Sequence, residues 1–257
     1  MTALLSAAGV LLCYMSSLFL IALVRHNNGT ADVGYGMAFV ALAGAAAYFS
    51  SAISFAALVL LLPLCVWACR LSLRICFKNR GKPEDFRYKA WRDAWGNTFL
   101  WRSFLQVYLL QGAVIFVVAL PLTLALVFPS ATASYGVFWV GLALWLVGFL
   151  FEAIGDAQLD RFLRNKNRVG TIMQSGLWKY SRHPNYFGES TLWWGMALAA
   201  SGITAYPVVV FLSPILITYL LLKVSGVPML EKKWEGNPEW EAYKAKTSVF
   251  VPLPPRR

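Results

Sequence analysis

The densest group of hydrogen-bonding side chains lies in residues 176–189, which read Gly-Leu-Trp-Lys-Tyr-Ser-Arg-His-Pro-Asn-Tyr-Phe-Gly-Glu. Pro184 breaks a helix that enters from its N-terminal side but suits a first turn, so we expect a new helix to begin there. The free amides of that turn would suit an anion or a carbonyl group, with Asn185, Tyr186 and Glu189 beside them. Because an ionisable Glu189 entering an apolar segment must face the protein interior, a functional role is favoured over a structural salt bridge.

Two further carboxylate positions precede this segment. Glu152 and Asp156 are four residues apart, which places both on one helix face, where they could hold a ribose, an amide or arginine side chains. Asp32 lies three residues before Tyr35 at the start of another apolar run. It is either a helix cap or a functional group near the same membrane face.

A basic segment, residues 78–88, combines arginine, lysine, glycine and aromatic residues just after an apolar run. Arginine and lysine form charge-assisted hydrogen bonds to phosphate oxygens, and Gly81 allows close approach of the backbone. The same composition is typical of an ordinary basic loop on the cytoplasmic side of a membrane. The residues alone leave both interpretations open.

Metal chemistry and the common soluble dinucleotide fold have little support. The two histidines are His26 and His183, and the four cysteines lack ligand-like spacing and lie in or beside apolar runs. The helix-dense sequence also offers no Gly-rich turn between a strand and a helix. We therefore expect no metal, and any nucleotide must bind between helices and loops.

The elements that must position these groups are membrane helices. Hydrophobic residues make up 58% of the 257-residue chain and aromatic residues 15%, far outside the range of a soluble domain. The 23 lysines and arginines lie in short windows, separated by charge-free runs long enough to cross a bilayer. Basic loops of this kind orient membrane proteins, so the net charge of +11 is explained without nucleic acid, which we do not expect as a partner.

We predict an all-α, polytopic membrane protein, a single domain over residues 1–257 with the N-terminus outside and the C-terminus cytoplasmic. Turn signals at Ser50, 129–134 and 202–207 divide the longer apolar runs, and Pro121 is expected to kink the fourth helix. This arrangement places every basic residue on the cytoplasmic side. About seven spans are expected, at about 3–24, 33–50, 53–77, 103–128, 134–155, 187–203 and 207–223, with cytoplasmic loops 78–102 and 156–186.

Residues 176–189 closely resemble the corresponding segment of the steroid 5α-reductase-like membrane family, in particular its bacterial DUF1295-type branch. Further matching blocks are residues 32–36, 70–88, 101–112 and 224–231, so the resemblance covers nearly the whole chain. It implies a seven-helix reductase of a bacterial inner membrane that holds NADPH among loops 78–102 and 156–186. The implied reaction is hydride transfer to the carbon–carbon double bond of an enone in a steroid or related lipid, which enters from the bilayer.

The resemblance also implies which residues contact NADPH. Asn185, Tyr186, Gly188 and Glu189 fall on the family's cofactor motif, and Asp156 falls on its carboxylate. The full set of expected cofactor contacts is Arg70, Asn79, Arg80, Lys82, Arg87, Tyr88, Asp156, Arg161, Arg164, Tyr180, Arg182, His183, Asn185, Tyr186 and Glu189.

One position departs from the family. Animal steroid 5α-reductases carry a tyrosine on the third helix, three residues before an arginine, and pair it with a second-helix glutamate to polarise the steroid ketone. Trp67 stands at this position, before Arg70, and an indole has no acidic proton. The catalytic groups expected instead are Tyr35, Asp32 and Glu189. The substrate pocket is expected to include Trp67, Trp193 and Trp194.

Two other functions stay open. An isoprenylcysteine carboxyl methyltransferase-like enzyme, which uses S-adenosylmethionine, also has an Arg-His-Pro-x-Tyr segment before a membrane helix. Such enzymes continue with an arginine and paired glutamates, whereas this chain has Lys223 and a single Glu231 in that region. A non-catalytic sterol or lipid binder would keep an apolar pocket but has little use for clustered asparagine, arginine and carboxylate groups.

Overall fold

The computed structural model describes residues 1–164 and 171–256. Within these ranges the regular structure is helical and no strand occurs, although Pro129 and Thr204 form an isolated antiparallel bridge. Positions 165–170 of the predicted loop 156–186, and the last residue of the basic C-terminal segment, lie outside the described residues. The all-α fold class expected from the sequence is confirmed.

The chain forms two compact units. The first consists of Met1–Ser134 with Ala200–Val210, and the second of Tyr135–Ala199 with the chain from Phe211 onward. The domain 1–257 predicted from the sequence thus contains two bodies, each with its own helices.

The first unit contains three long apolar helices followed by shorter ones. In chain order they are α1 (Thr2–Arg25), α2 (Gly29–Phe49), α3 (Phe55–Asn79), α4 (Phe86–Trp95), α5 (Phe99–Ser103), α6 (Leu110–Val118) and α7 (Leu120–Val127). A wider helical turn over Phe104–Leu109 joins α5 to α6. Such π-type turns insert an extra residue into a helix and are frequent at functional sites.

Local sequence explains where several of these helices begin and end. Ser54 caps α3, because its hydroxyl accepts a hydrogen bond at 3.1 Å from the amide three residues later. The chain turns between α2 and α3 at Ser50, as predicted, and the Ser50 hydroxyl donates to the Leu126 carbonyl at 2.8 Å. Pro121 lies in the first turn of α7, directly after the break that separates α7 from α6. The predicted kink corresponds to a one-residue break at Ala119, between α6 and α7.

The core of the first unit lies between its long helices and the pair α6–α7. Met15, Phe39, Leu60, Trp67 and Ile115 are each at most 1% exposed. Lipid tails are as apolar as these side chains, so close packing rather than exclusion of water holds such membrane helices together.

The second unit contains one long helix and several shorter ones. They are α8 (Tyr135–Arg164), α9 (Pro184–Ser201, of which the last two residues belong to the first unit), α10 (Leu212–Tyr219), α11 (Val227–Lys232) and α12 (Pro238–Lys246). As predicted, α9 begins at Pro184. The loop predicted from residue 156 is helical up to Arg164, because the arginine and glutamine side chains there favour a helix that continues beyond its apolar part.

Glycines let α8 and α9 approach each other backbone to backbone. A Cβ atom at Gly148 or Gly188 would lie against backbone atoms of the opposite helix, as would one at Gly141 or Gly195. The spacing of seven residues in each helix keeps these glycines on one face. Small residues at the contact are typical of membrane helix pairs, and here they fix α9 closely against α8.

Six helical stretches of the described residues are long and apolar enough to cross a membrane. They are Thr2–Arg25, Gly29–Phe49, Phe55–Asn79, Phe86–Val118, Tyr135–Arg164 and Val209–Lys232. The protein is therefore an integral, multi-pass membrane protein. The remaining predicted span corresponds to the 18-residue α9, whose first two turns carry Asn185, Glu189 and hydroxyl side chains. A seventh crossing and the orientation of the chain stay predictions.

Candidate functional site

A large cavity lies in the first unit between α1, α2 and α3, with a volume of about 1110 Å³. Its lining comes from the C-terminal half of α1, the first half of α2, the C-terminal part of α3 and the loop that follows. Much of the wall is apolar and includes Leu18, Val33, Met37, Leu73 and Phe77. Ligand pockets usually measure about 300–1,000 Å³, so this cavity is large enough for a lipid-sized molecule.

The cavity also has a basic rim, formed at the ends of α1 and α3 by Arg25, Lys78, Arg80 and Lys82. The carboxylate of Asp85 lines the cavity too and lies 2.9 Å from the Arg87 guanidinium. Burial acts to raise the pKa of Asp85, but the hydrogen bonds and charge of Arg87 outweigh burial and hold this pKa below its ordinary value. The acidic member of the lining is thus already paired, whereas the basic rim has no ion pair within the described ranges.

Asp32, one of the predicted catalytic residues, lies in the first turn of α2. It accepts a hydrogen bond from the Tyr88 hydroxyl at 2.7 Å, and its other carboxylate oxygen lies 3.3 Å from the Arg87 guanidinium. The structure thus brings together three residues singled out in the sequence. Asp32 accepts from Tyr88 and lies beside Arg87, so both of these side chains are partly engaged with it.

Tyr35 and Trp67 belong to one aromatic cluster between α2 and α3. The Tyr35 ring meets Phe39 edge-on at a centroid distance of 5.2 Å and Trp67 at 6.4 Å. Trp67 is 1% exposed and also meets Phe39 edge-on at 5.3 Å. Trp67 is not among the described residues that line the cavity. Its predicted place in a substrate pocket therefore gains no support from this cavity. Arg70 is half-buried and lies one turn further along α3.

In the second unit, the N-terminal turn of α9 meets the buried carboxylates of α8. Glu152 and Asp156 are each 3% exposed, and the Asn185 side-chain amide donates to Asp156 at 3.2 Å. The buried Asn185 Oδ1 has no hydrogen-bond partner among residues 1–164 and 171–256. A buried amide oxygen without a partner loses hydrogen bonds to water, and a ligand donor would restore one. Gly155 and Gly188 make this close contact between the helices possible.

Other predicted contacts surround this turn. Glu189 is half-buried and follows Asn185 by four residues, so both face the same side of α9. The Tyr186 ring stacks on the His183 ring, with centroids 5.4 Å apart and planes inclined by 9°. Tyr180 lies just before this turn and is exposed, while the remaining arginines of the predicted set, Arg161 and Arg164, are exposed at the end of α8.

Arg182 and His183, both predicted to bind the cofactor, instead share a partner within the protein. The Arg182 Nε donates to Glu231 at 2.9 Å, and the His183 Nε2 lies 3.0 Å from the same carboxylate oxygen. Arg182 also donates to the carbonyls of Lys244 and Thr247, at 3.2 and 2.7 Å. These bonds fasten the C-terminal segment to residues 176–183, which is a structural role.

The two tryptophans of α9 that were predicted to line the substrate pocket differ in exposure. Trp193 is 1% exposed and belongs to the core of the second unit. Trp194 is 38% exposed, and its indole nitrogen donates to the Thr218 hydroxyl at 3.3 Å. The Thr218 hydroxyl also bonds that of Ser190 at 2.7 Å. Of the pair, Trp194 is the one available to a ligand.

Sequence reasoning missed a buried polar cluster in the first unit. Asn28 is 2% exposed, donates its side-chain amide to Ser103 at 2.9 Å, and donates its backbone amide to Glu84 at 2.8 Å. Glu84 in turn binds Arg92 at 2.8 Å. The partners of Asn28 lie 56 and 75 residues away in the chain, so no local spacing could have predicted them. Glu231 was likewise missed as the partner of Arg182.

The two units thus offer different chemistry. The first has an apolar cavity with a basic rim, which suits a lipid, and the second has buried carboxylates, an amide and a helix start, which suit a polar cofactor. Among the described residues, no group of three or more His, Cys, Asp or Glu side chains could hold a metal ion.

The chain is similar to known proteins over part of its length. It is 40% identical over 82 residues to bovine (Bos taurus) 3-oxo-5-alpha-steroid 4-dehydrogenase 1, which is 32% of each chain. It is 36% identical over 78 residues to the enzyme of the same name from Mus musculus, 29% of each chain, and 39% identical over 67 residues to that from Homo sapiens, 24% of each. The chain therefore spans only about a third or less of the curated relatives it matches. No solved structure gives a significant match. The model of the family described as "Protein of unknown function (DUF1295)" matches residues 18–247, and the chain belongs to that family.

Proposed function

We propose that this protein is an NADPH-dependent membrane reductase that reduces the carbon–carbon double bond of an enone in a steroid or related lipid. The partial similarity to 3-oxo-5-alpha-steroid 4-dehydrogenase 1 supports an oxidoreductase. The observation that carries the proposal is the first turn of α9, where Asn185 meets the buried Asp156 and keeps an unpaired amide oxygen.

The residues of this turn fit a nicotinamide cofactor. The N–H groups of a carboxamide need acceptors, and the Asn185 Oδ1 and the buried carboxylates Glu152 and Asp156 are acceptors at this turn. Free amides at the start of α9 suit an anionic group. Glu189, on the same face as Asn185, would contact the cofactor or the reacting lipid. When bound, the reduced nicotinamide supplies the hydride.

The protein's own part is to hold the lipid, exclude water and stabilise charge that grows on the enone oxygen. Tyr35 has a phenol that could donate to that oxygen, whereas Asp32 accepts from Tyr88 and Arg87. We therefore assign the donor role to Tyr35 and a positioning role to Asp32. Asn79, Arg80 and Lys82, which the family resemblance gives to the cofactor, line the apolar cavity of the first unit.

The test is a titration of the detergent-purified protein with NADPH, NADH and S-adenosylmethionine, recording thermal midpoints. NADPH binding is expected to raise the midpoint, and Asn185→Ala is expected to weaken binding by about tenfold through loss of a buried hydrogen-bonding amide. Lys179→Ala, an exposed substitution outside α9, is the control and should bind as the wild type does. Tyr35→Phe should keep NADPH binding but slow NADPH oxidation with an enone lipid.

A midpoint that rises only with S-adenosylmethionine would overturn the reductase in favour of the methyltransferase. No response to any of the three would favour a non-catalytic lipid binder. If Asn185→Ala and Lys179→Ala weakened NADPH binding equally, the cofactor site would not lie at α9.

A further inference from the structure

We propose that the exposed face of residues 101–113 binds an anionic phospholipid, whose phosphate bonds Arg102 and whose ester groups contact Gln106. These residues belong to Phe86–Val118, one of the stretches long and apolar enough to cross a membrane. The inference goes beyond the proposed reductase and does not depend on it.

Arg102 has no acidic partner, unlike the preceding arginine of the chain. Arg92 lies 2.8 Å from the carboxylate of Glu84. Arg102 forms no ion pair within the described part of the chain, and its buried Nε has no hydrogen-bond partner there. It is also the last charged residue before a long apolar run. A cation at such a border is stabilised by a counter-charge, and a bilayer offers lipid phosphates at that depth.

Trp101 lies beside this cation and marks the same depth. The guanidinium carbon of Arg102 is 5.4 Å from the centre of the Trp101 ring, and Trp101 is 53% exposed. A guanidinium over an aromatic ring keeps N–H groups for an acceptor, and it can bind one phosphate through two hydrogen bonds. Tryptophan is enriched at the level of lipid head groups. The pair therefore suits a phosphate in the head-group region.

Gln106 offers a second polar contact about one turn further into the apolar run. It follows Arg102 by four residues, which places both on one side of the helix with a rise of roughly 6 Å between them. Its side chain is exposed and has no hydrogen bond within the described ranges. An amide that leaves water without a new partner loses free energy. The ester carbonyls of a phospholipid lie just below its phosphate, where the Gln106 amide would donate to one of them.

Beyond these two polar groups the exposed face is apolar. Leu105 and Leu110 are 46% and 59% exposed, and Ala113 is exposed as well. Acyl chains are as apolar as these side chains and would pack along them. From Arg102 to Ala113 the face thus changes from cation to amide to hydrocarbon. A glycerophospholipid presents its phosphate, esters and acyl chains in the same order.

Other ligands match only part of this face. Inorganic phosphate or a nucleotide would pair with Arg102 but would leave Leu105 and Leu110 uncovered. A phosphatidylcholine carries its own cation beside the phosphate, which weakens the attraction to a guanidinium. A phospholipid with a net negative charge matches every part of the face.

Photolabelling can test this site separately from other lipid contacts. The full-length protein, in an uncharged detergent, would be titrated with a phosphatidylglycerol that carries a diazirine in one acyl chain, or with the matching phosphatidylcholine. After irradiation, peptide mass spectrometry would measure the label in residues 103–118. We expect the phosphatidylglycerol to reach half-maximal labelling there at about tenfold lower concentration than the phosphatidylcholine.

Three variants assign this preference to side chains. Arg102→Gln should lose it, whereas Lys179→Gln removes an exposed cation of the second unit and should keep it. Gln106→Leu should weaken labelling by both lipids about threefold and keep the preference, since both lipids carry esters. If Arg102→Gln lowers the thermal midpoint without lipid, Arg102→Lys replaces it. That variant keeps the charge but not the two-bond geometry, so the preference should fall about threefold.

Several results would overturn the proposal. Equal labelling by the two lipids, or a preference that survives in Arg102→Gln, would show that Arg102 does not read the head group. Suppression of the label by inorganic phosphate or by NADPH would assign Arg102 to a simple anion site or to the cofactor. A lipid-free dimer that depends on Arg102 would make a second copy of the chain its partner. Because no turnover is measured, none of these results decides the reductase.

Discussion

Arg182 in the second unit is 8% exposed and bonds a carboxylate and two backbone carbonyls, whereas Arg80 and Lys82 in the first unit are exposed on the rim of a cavity. Both sets were expected to bind a cofactor. The buried arginine bonds Glu231 and two backbone carbonyls and so holds the chain together, whereas the exposed cations are available to a ligand. Residue type therefore predicted where cations cluster, and burial decides what each cluster does.

The largest loss of stability is expected from a substitution that removes the close packing around the buried polar groups of the second unit. Gly188→Leu would place a side chain against the backbone of α8, at the amide of Glu152. We expect a loss of about 3 kcal/mol or more in the free energy of unfolding, measured as a lower thermal midpoint and lower yield.

The matched control is Gly136→Ala, in the first turn of α8, where an added Cβ atom meets nothing within 4 Å. Alanine favours a helix over glycine by roughly 0.5–1 kcal/mol, so this variant should be as stable as the wild type or slightly more so. A folded Gly188→Leu protein with an unchanged midpoint would show that α8 and α9 are less tightly packed than described.

A smaller loss of stability is expected when Arg182 loses its carboxylate partner. Glu231→Ala would leave Arg182 and His183 without their shared carboxylate. Because the Arg182 side chain is 9% exposed, we expect a loss of about 2–3 kcal/mol and faster hydrogen–deuterium exchange in the chain from Pro238 onward.

Glu241→Ala is the control for this experiment. Glu241 is paired with Lys244 at 4.0 Å, but both side chains are about half exposed. Exposed pairs contribute roughly 0–1 kcal/mol, so exchange in α12 should stay close to that of the wild type. If both variants behave alike, Arg182 does not hold the C-terminal segment.

The smallest expected effect concerns pH in the first unit. The pKa of Asp85 is lowered in the folded protein, so its pairing with Arg87 stabilises the fold above the ordinary pKa of 3.8. That contribution is lost as pH falls below this value through the lowered pKa. Since the pair is about one-third exposed, solvent screening limits the effect to roughly a few tenths of a kcal/mol.

Thermal midpoints of Asp85→Asn and the wild type should therefore differ slightly at pH 6, and this difference should shrink as pH falls below 3.8. Asp93→Asn removes an acid outside the described lining of the cavity and controls for the loss of one carboxylate. A difference between Asp85→Asn and the wild type that grows on acidification would contradict the assigned pairing.

Much of the fold was predictable, because its determinants are local. Pro184 starts α9 and Pro121 separates α6 from α7, since a proline lacks the amide that a continuing helix needs. The length of α8 was not predictable from hydropathy, because a helix need not end where its apolar part ends. The repeated glycines of α8 and α9 were a visible signal that sequence reasoning did not use.

The candidate site was less predictable, because its contacts join distant parts of the chain. Arg182 meets Glu231 across 49 residues, and Tyr88 meets Asp32 across 56. The sequence placed Asn185 at a helix start and Asp156 on a helix face, and the structure joins them at 3.2 Å. No periodicity could indicate that Arg25 of α1 and Lys78 of α3 line the same cavity.

The C-terminal tail is attached largely through hydrogen bonds of its backbone. The Arg182 amide donates to the Ser248 carbonyl, the Ser181 hydroxyl to the Phe250 carbonyl, and the Leu253 amide to the Tyr180 carbonyl. Every residue type offers a carbonyl, and every type except proline offers an amide. A substitution at Ser248 would therefore keep the carbonyl that Arg182 uses, whereas proline at Leu253 would remove an anchor, so the tail tolerates changes of side chain better than loss of an amide.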